Sequence, residues 1–340
     1  MPRPTGTGHE MPGPGLSGRP GRAPAWQLST PVALLLFNRP DTTARVFEAI
    51  RAARPPHLLV VADGPRPDRP GEEELCRRAR AILDGVDWPC RVDTCFSEAN
   101  LGCRTRISSG LNWVFSKVET AIVLEDDCLP HPSFFRYCEE LLARYRDDER
   151  VMAISGTSFH FGRRFGPSSY CASRYPHVWG WASWRRAWKR YDVAMSRWPE
   201  LRDQEDWLPR VHQRRWVRQY WREMFEETWS GRMDTWDYQL SFACQAHQGL
   251  SLTPSVNLIQ NIGFGPAGTR THRRNRFAEM PVEAMAFPLV HPPELRRQAD
   301  ADEATENLQY LANSLPVRLQ RAWWKVQRVA GSWARRRAPG

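Results

Sequence analysis
No two of the eight cysteines, at positions 76, 90, 95, 103, 128, 138, 171 and 244, stand at CxxC spacing, and no metal-finger pattern is present. In a chain of 340 residues they read as scattered buried thiols in a reducing compartment. No window approaches the ~18 apolar residues of a spanning helix, and the first residues hold no apolar stretch of signal-peptide length. The expectation is a cytoplasmic protein. Internal repeats are absent. Basic residues are scarce where a nucleic-acid binder needs them. Of the net charge of +10, the first 30 residues contribute +2 and the last 26 contribute +7, which leaves +1 for the body. So even a balance predicts no nucleic-acid partner.

What is present in excess is tryptophan (16) and proline (28). Most of the tryptophans are read as core residues, although flat indoles also suit sugar-like ligands. Residues 1–28 are Gly-, Pro- and Arg-rich, too poor in apolar side chains to offset ordering entropy, and are expected to be disordered. From Pro31 the chain alternates strand and helix. PVALLLF (31–37) is a continuous apolar run, as in a strand buried on both faces. Asp41 is placed as the N-cap of the helix that follows. HLLVVADG (57–64), RVDTCFS (91–97), AIVLEDD (121–127) and RVMAISG (150–156) are further strands, separated by helical stretches over 71–84, from about 103 to 118, and from Phe134 to Tyr145. The pattern predicts an α/β fold, a mostly parallel sheet with helices on both faces, followed by an irregular Trp-rich half. Ligands of such sheets bind outside the carboxyl ends of the strands. The residues there are Asn38, Arg39, Asp63 and the run Glu125-Asp126-Asp127.

Three consecutive carboxylates at the end of an apolar strand repel one another and raise each other's pKa. A hard divalent cation removes that cost. Mg²⁺ or Mn²⁺ takes one or two carboxylates together with substrate phosphates. The structural alternative is a solvated acidic loop that caps the next helix.

IVLEDD resembles the acidic metal motif of GT-A glycosyltransferases in its Glu-Asp-Asp form. LLLFNRPDTTARVFEAI, VVADGPR and NLGCRTRISSGLNWVF are similar to the first strands and helices of family 2 enzymes and of the N-acetylglucosaminyltransferase group. LEDDCLPHPSFFRYCEELL, HVWGWASWRRAW, TWDYQ and NIGFGPAGTRTH resemble bacterial hemolytic-protein-like transferases. The resemblance covers roughly residues 31–275. It implies a GT-A (Rossmann-like) domain over 29–285, with a nucleotide half (29–156) and an acceptor half (157–285). It implies a nucleotide-diphosphate sugar as donor, Asp127 as direct metal ligand, and Glu125 and Asp126 toward sugar and ribose. Asn38, Arg39 and Asp63 would line the nucleotide, and Arg104 or Arg106 would pair with phosphate through a bidentate guanidinium. Trp179 and Trp181, around Gly180, would flank donor sugar or acceptor. Asp237 is chosen as the general base of an inverting transfer, with Asp234 as its rival. His272 would reach back to the metal, since imidazole suits Mn²⁺ better than Mg²⁺.

Residues 286–340 are expected to form an extension. Within it, 314–337 can be drawn as a basic amphipathic helix, with Leu315, Leu319, Trp323, Val326, Ala330 and Trp333 spaced by three or four. That pattern suits the inner face of a membrane and a lipid-linked or cell-surface glycan acceptor. Two other classes stay open: a sugar nucleotidyltransferase, and a non-catalytic carbohydrate-binding scaffold. The first requires a Gly-rich basic loop after the first strand, and Asn38-Arg39-Pro40 has none.

Overall fold
A computed structural model of the chain describes residues 26–264 and 276–311. His272 and the helix drawn over 314–337 lie outside the described residues, as does most of the N-terminal stretch.

The first apolar run becomes β1 (Val32–Leu36), buried at all five positions. Helix α1 (Pro40–Ala53) starts with proline, whose missing N–H costs nothing in a first turn, and buries Val46, Phe47 and Ile50. Asp41 is not its cap. It sits one residue inside the helix, in the first turn, where its charge meets the positive end of the helix dipole. Then follow β2 (His57–Ala62), α2 (Glu72–Ala81), β3 (Arg91–Phe96), α3 (Gly102–Lys117) and β4 (Thr120–Glu125). After the acidic run come β5 (Cys128–Pro130), α4 (Ser133–Arg144) and β6 (Val151–Ser155). The second half holds β7 (Tyr170–Ser173), β8 (Trp181–Trp184), α5 (Arg185–Trp188), α6 (Trp198–Asp203), α7 (Trp207–Val211), α8 (Arg215–Trp229), α9 (Asp237–Ala246), β9 (Leu250–Pro254), β10 (Ile259–Asn261) and α10 (Ala299–Thr305).

Eight strands form one sheet in the order β3-β2-β1-β4-β8-β6-β9-β7. Pairing is parallel across β3, β2, β1 and β4, and again between β6 and β9. Only β8 and β7 run against the rest. This is the α/β, Rossmann-like, mostly parallel sheet that the strand–helix alternation predicts. The carboxyl ends of β1, β2 and β4 open on one side, which fixes where chemistry can sit. Packing under the helices is close. At Gly110 on α3, an added Cβ would stand 2.4 Å from Val61 Cγ1 on β2.

A second, aromatic core lies in the later half. Trp198, Trp207, Trp221, Phe225 and Phe242 pack there with Tyr175 and Tyr310. Residues beyond 285 are part of the body. Leu289 and Leu295 belong to the main core. Asp302 on α10 accepts bonds from Ser173 and Arg174, and Tyr175 donates to Glu306. The compact unit therefore continues past 285 to the last described turn.

Candidate active site
A cleft of about 600 Å³ opens at the carboxyl ends of β1, β2 and β4. It brings together six carboxylates (Asp63, Glu125, Asp126, Asp127, Asp234 and Asp237) and three guanidiniums (Arg39, Arg66 and Arg106). The surplus is negative.

Strand β4 delivers the acidic run. Glu125 ends the strand, and the chain turns so that Asp126 is buried while Asp127 keeps 13 % of its side chain exposed. Arg39 enters from the β1–α1 turn. Its Nη2 donates to Asp126 Oδ1 at 2.5 Å and its Nη1 to Asp127 Oδ2 at 2.9 Å. The second oxygen of Asp126 accepts the Phe37 N–H at 3.1 Å. Burial pushes Glu125 up to about 8, and the charges of Asp127 and Asp126 push the same way, with Arg39 opposing. Burial likewise pushes Asp126 up, here against the pull of Arg39. Burial would lower the Arg39 guanidinium. The charges of Asp126 and Asp127 outweigh that and hold it well above its ordinary value. One cation thus serves three acids, and the balance is incomplete.

The long-range antiparallel pair of β5 and β10 brings the chain back against the acids. Ile262 N–H donates to the Asp127 carbonyl at 2.8 Å, and Gly263 N–H to Asn261 Oδ1 at 2.9 Å. An added Cβ at Gly263 would lie 2.1 Å from Asp127 Oδ2 and 2.7 Å from Arg39 Nη1. Only glycine allows the backbone so near the carboxylate.

On the facing wall, Asp237 is the first residue of α9. The Thr235 hydroxyl donates to its Oδ1. Asp237 is close enough for its charge to raise Glu125 further. Asp234 is exposed and is engaged otherwise, since its Oδ1 accepts the Arg104 N–H at 3.2 Å and so caps α3. Of the two, Asp237 is the one with a half-buried position deep in the cleft.

Other expected residues divide. Asp63 lies in the cleft, but its carboxylate accepts the backbone N–H groups of Gly64, Leu101 and Gly102 and the Asn100 amide. It fixes the start of α3, and burial raises its pKa against those donors. Asn38 turns away to Glu72 Oε1 at 2.8 Å. Arg104 sends its guanidinium to the Val193 carbonyl. Arg106 is the arginine of α3 that lines the cleft, with Nη2 on the Cys95 carbonyl and a buried, unpartnered Nε. Trp179 lines the cleft, whereas Trp181 is 1 % exposed and stacks on Trp236 at 5.7 Å. Gly180 explains that split: it stands between them in the left-handed region (φ 58°), so Trp179 lies before β8 and is turned off the line of the strand that Trp181 begins. Sequence reasoning missed Phe37, Arg66, Asn100 and Gly263. The glycine had a legible signal, because NIGFG places two glycines where a strand ends.

Among the described residues no three His, Cys, Asp or Glu side chains converge as a ready-made metal centre. The donor chemistry still suits a hard cation. Asp127 is a partly accessible carboxylate, paired to Arg39 through Oδ2, in a cleft with surplus negative charge, and Mg²⁺ or Mn²⁺ needs only one or two such ligands when phosphates complete the shell.

No family model matches the chain, and no curated protein matches it. Among solved structures it is similar to the mannosyltransferase PcManGT from Pyrobaculum calidifontis in complex with GDP-Man and Mn²⁺. There the identity is 13 %, the coverage 66 % of this chain and 70 % of that chain, and the TM-score 0.35. It is also similar to an apo UDP-glucose pyrophosphorylase (9 %, 68 % and 93 % covered, TM-score 0.34). A third is 4-diphosphocytidyl-2C-methyl-D-erythritol synthase from Anaerococcus prevotii DSM 20548 (8 %, 52 % and 78 % covered, TM-score 0.29). Likeness this distant assigns neither substrate nor reaction.

Proposed function
We propose that the chain is a metal-dependent, inverting glycosyltransferase of the GT-A type, which moves a sugar from a nucleotide-diphosphate donor to a hydroxyl of a glycan or lipid-linked acceptor. One observation carries the reading: Glu125, Asp126 and Asp127 face Asp237 across a single cleft at the carboxyl ends of parallel strands. Two groups of acids on opposite walls suit two tasks, one on the leaving diphosphate and one on the attacking hydroxyl.

Asp127 would hold Mg²⁺ or Mn²⁺, which when bound offsets charge on the departing diphosphate. Without a cation, a diphosphate would meet a cleft in which carboxylates outnumber guanidiniums, and Coulomb repulsion would oppose it. Arg106, which lines the cleft, would pair with phosphate oxygens in preference to Arg104. Trp179 offers a flat wall for sugar or acceptor. Asp237 acts as general base. Thr235 fixes one of its oxygens, and the other takes the acceptor's proton as the new bond to the anomeric carbon forms and the bond to the diphosphate breaks. The nucleotidyltransferase alternative fits less well. The only cation of the β1–α1 turn, Arg39, is already bound to two carboxylates and is not free for a triphosphate.

Calorimetric titration with a panel of nucleoside diphosphates and their sugars, with and without Mn²⁺, tests the reading. The expected result is metal-dependent binding of one nucleotide class, lost in Asp127→Ala. Failure of every nucleotide to bind under either condition would overturn it.

A further inference from the structure
A second cavity, of about 420 Å³, lies at the opposite end of the sheet, beside Leu250 where β9 begins. Its wall carries four arginines (Arg174, Arg197, Arg210 and Arg297) and no carboxylate. Some of that charge is met locally. Asp302 pairs with Arg174 and Arg297, and Asp206 pairs with Arg210 at the surface. The carbonyl end of α9 offsets about half a charge more. Arg197 has no ion pair among the described residues, and the cavity stays positive.

The wall also holds an orphaned donor, and its orientation is forced. Arg174 is always charged and has only N–H groups to offer, so His212 Nδ1, 3.2 Å from its Nη1, must be an acceptor. The proton of His212 then sits on Nε2, which donates to Gln245 Oε1 at 2.9 Å. Burial depresses His212 to about 3, so the ring stays neutral. Gln245 is thereby fixed with its amide nitrogen turned from the ring. That nitrogen is enclosed behind the cavity wall, which Gln245 helps to line, with no partner among the described residues. An unmet buried donor costs roughly 1–3 kcal/mol, and rotation of the Gln245 amide toward the cavity would let a bound acceptor recover it.

No described residue supplies that acceptor. Of the residues outside the described ones, only Glu10 is acidic, whereas 265–275 and 312–340 carry arginines, a lysine and no acid. We infer that this cavity is a second binding site, separate from the cleft and metal-independent, for a phosphate- or diphosphate-bearing ligand. Leu201, Trp207 and Leu250 give it an apolar side against which the ligand's remaining part would rest. The same chemistry is offered by a soluble phosphorylated molecule and by an anionic lipid headgroup.

Calorimetry of the full chain with inorganic pyrophosphate, in EDTA at fixed ionic strength, tests the site. Saturable one-to-one binding is expected, weakened at least tenfold by Arg197→Glu, a change at an exposed residue without an ion pair. Asp127→Ala is expected to leave it unchanged. Absence of saturable binding overturns the inference, as does binding that survives Arg197→Glu combined with Arg210→Glu, or binding lost in Asp127→Ala. A vesicle arm separates the sources. If phosphatidylcholine vesicles containing phosphatidic acid retain the wild type but not Arg197→Glu, and pyrophosphate competes, the ligand is a headgroup. Equal retention of both chains, with pyrophosphate binding intact, assigns a soluble ligand. Nucleotide binding at the cleft is read independently, so either proposal can fail alone.

Discussion

Arg39 carries more electrostatic load than any other single residue of the cleft. It answers Asp126 and Asp127 together, and its own Nε is buried without a partner. Removing one member of a buried ion cluster leaves the others uncompensated, at a cost of about 3–5 kcal/mol. Arg39→Met is therefore expected to lower the unfolding midpoint in denaturant strongly in metal-free buffer, and less so with Mn²⁺ present. A second prediction concerns His177, which is fully enclosed with an unpartnered Nε2. Burial depresses it to about 3. A base held neutral in the fold stabilises above its unfolded pKa near 6.5, and that contribution is lost as pH falls toward 3. His177→Leu should flatten the acid side of the stability–pH curve by up to about 1.4 kcal/mol per pH unit between 6.5 and 4, as read by urea denaturation at stepped pH. Single residues were unevenly legible in the sequence. Asp127 and Asp237 could be singled out because their chemistry does not depend on where a neighbour points. Trp179 and Trp181 could not be told apart, because two residues apart they would share a face of an extended run, and the left-handed turn at Gly180 that separates them is set by tertiary contacts.

At the scale of elements, β1, β2 and β4 were legible because a strand buried on both faces must be apolar throughout. The strands β5, β8 and β10, of three or four residues, were not, because no periodicity can be read from so short a run. Yet the β5–β10 pair is what presses Gly263 against Asp127. Gly263→Ala is expected to cut metal-dependent nucleotide affinity at least tenfold while leaving the circular dichroism spectrum unchanged. Displacement of Asp127 needs only a few tenths of an ångström to do so. Gly110→Ala acts elsewhere, forcing α3 away from Val61. Overpacking of this kind costs about 1–3 kcal/mol, and a lower thermal midpoint with unchanged cleft affinity would show it.

For the whole molecule, the resemblance placed a domain boundary at 285. Burial does not stop there. Val290 and Arg296 are exposed, but Leu289, Leu295 and Asp302 are enclosed, and Asp302 is the counter-charge of Arg174 and Arg297. Ending the chain after residue 285 should strip Arg174 of that partner and open the aromatic core at Tyr310, giving a protein that binds hydrophobic dye and unfolds at a clearly lower temperature than the full chain. No helix among the described residues is long and apolar enough to cross a membrane.

The antiparallel strand β8 joins the two halves of the sheet. It is bonded on one side to β4, over four residue pairs, and on the other to β6. A hinge through the sheet at β8 would have to break that ladder, so the two sides of the sheet cannot swing apart like the jaws of a clamp. If the cleft works as proposed, ligand would enter and leave past the loops at its rim, and turnover would be limited by loop motion and not by domain rotation.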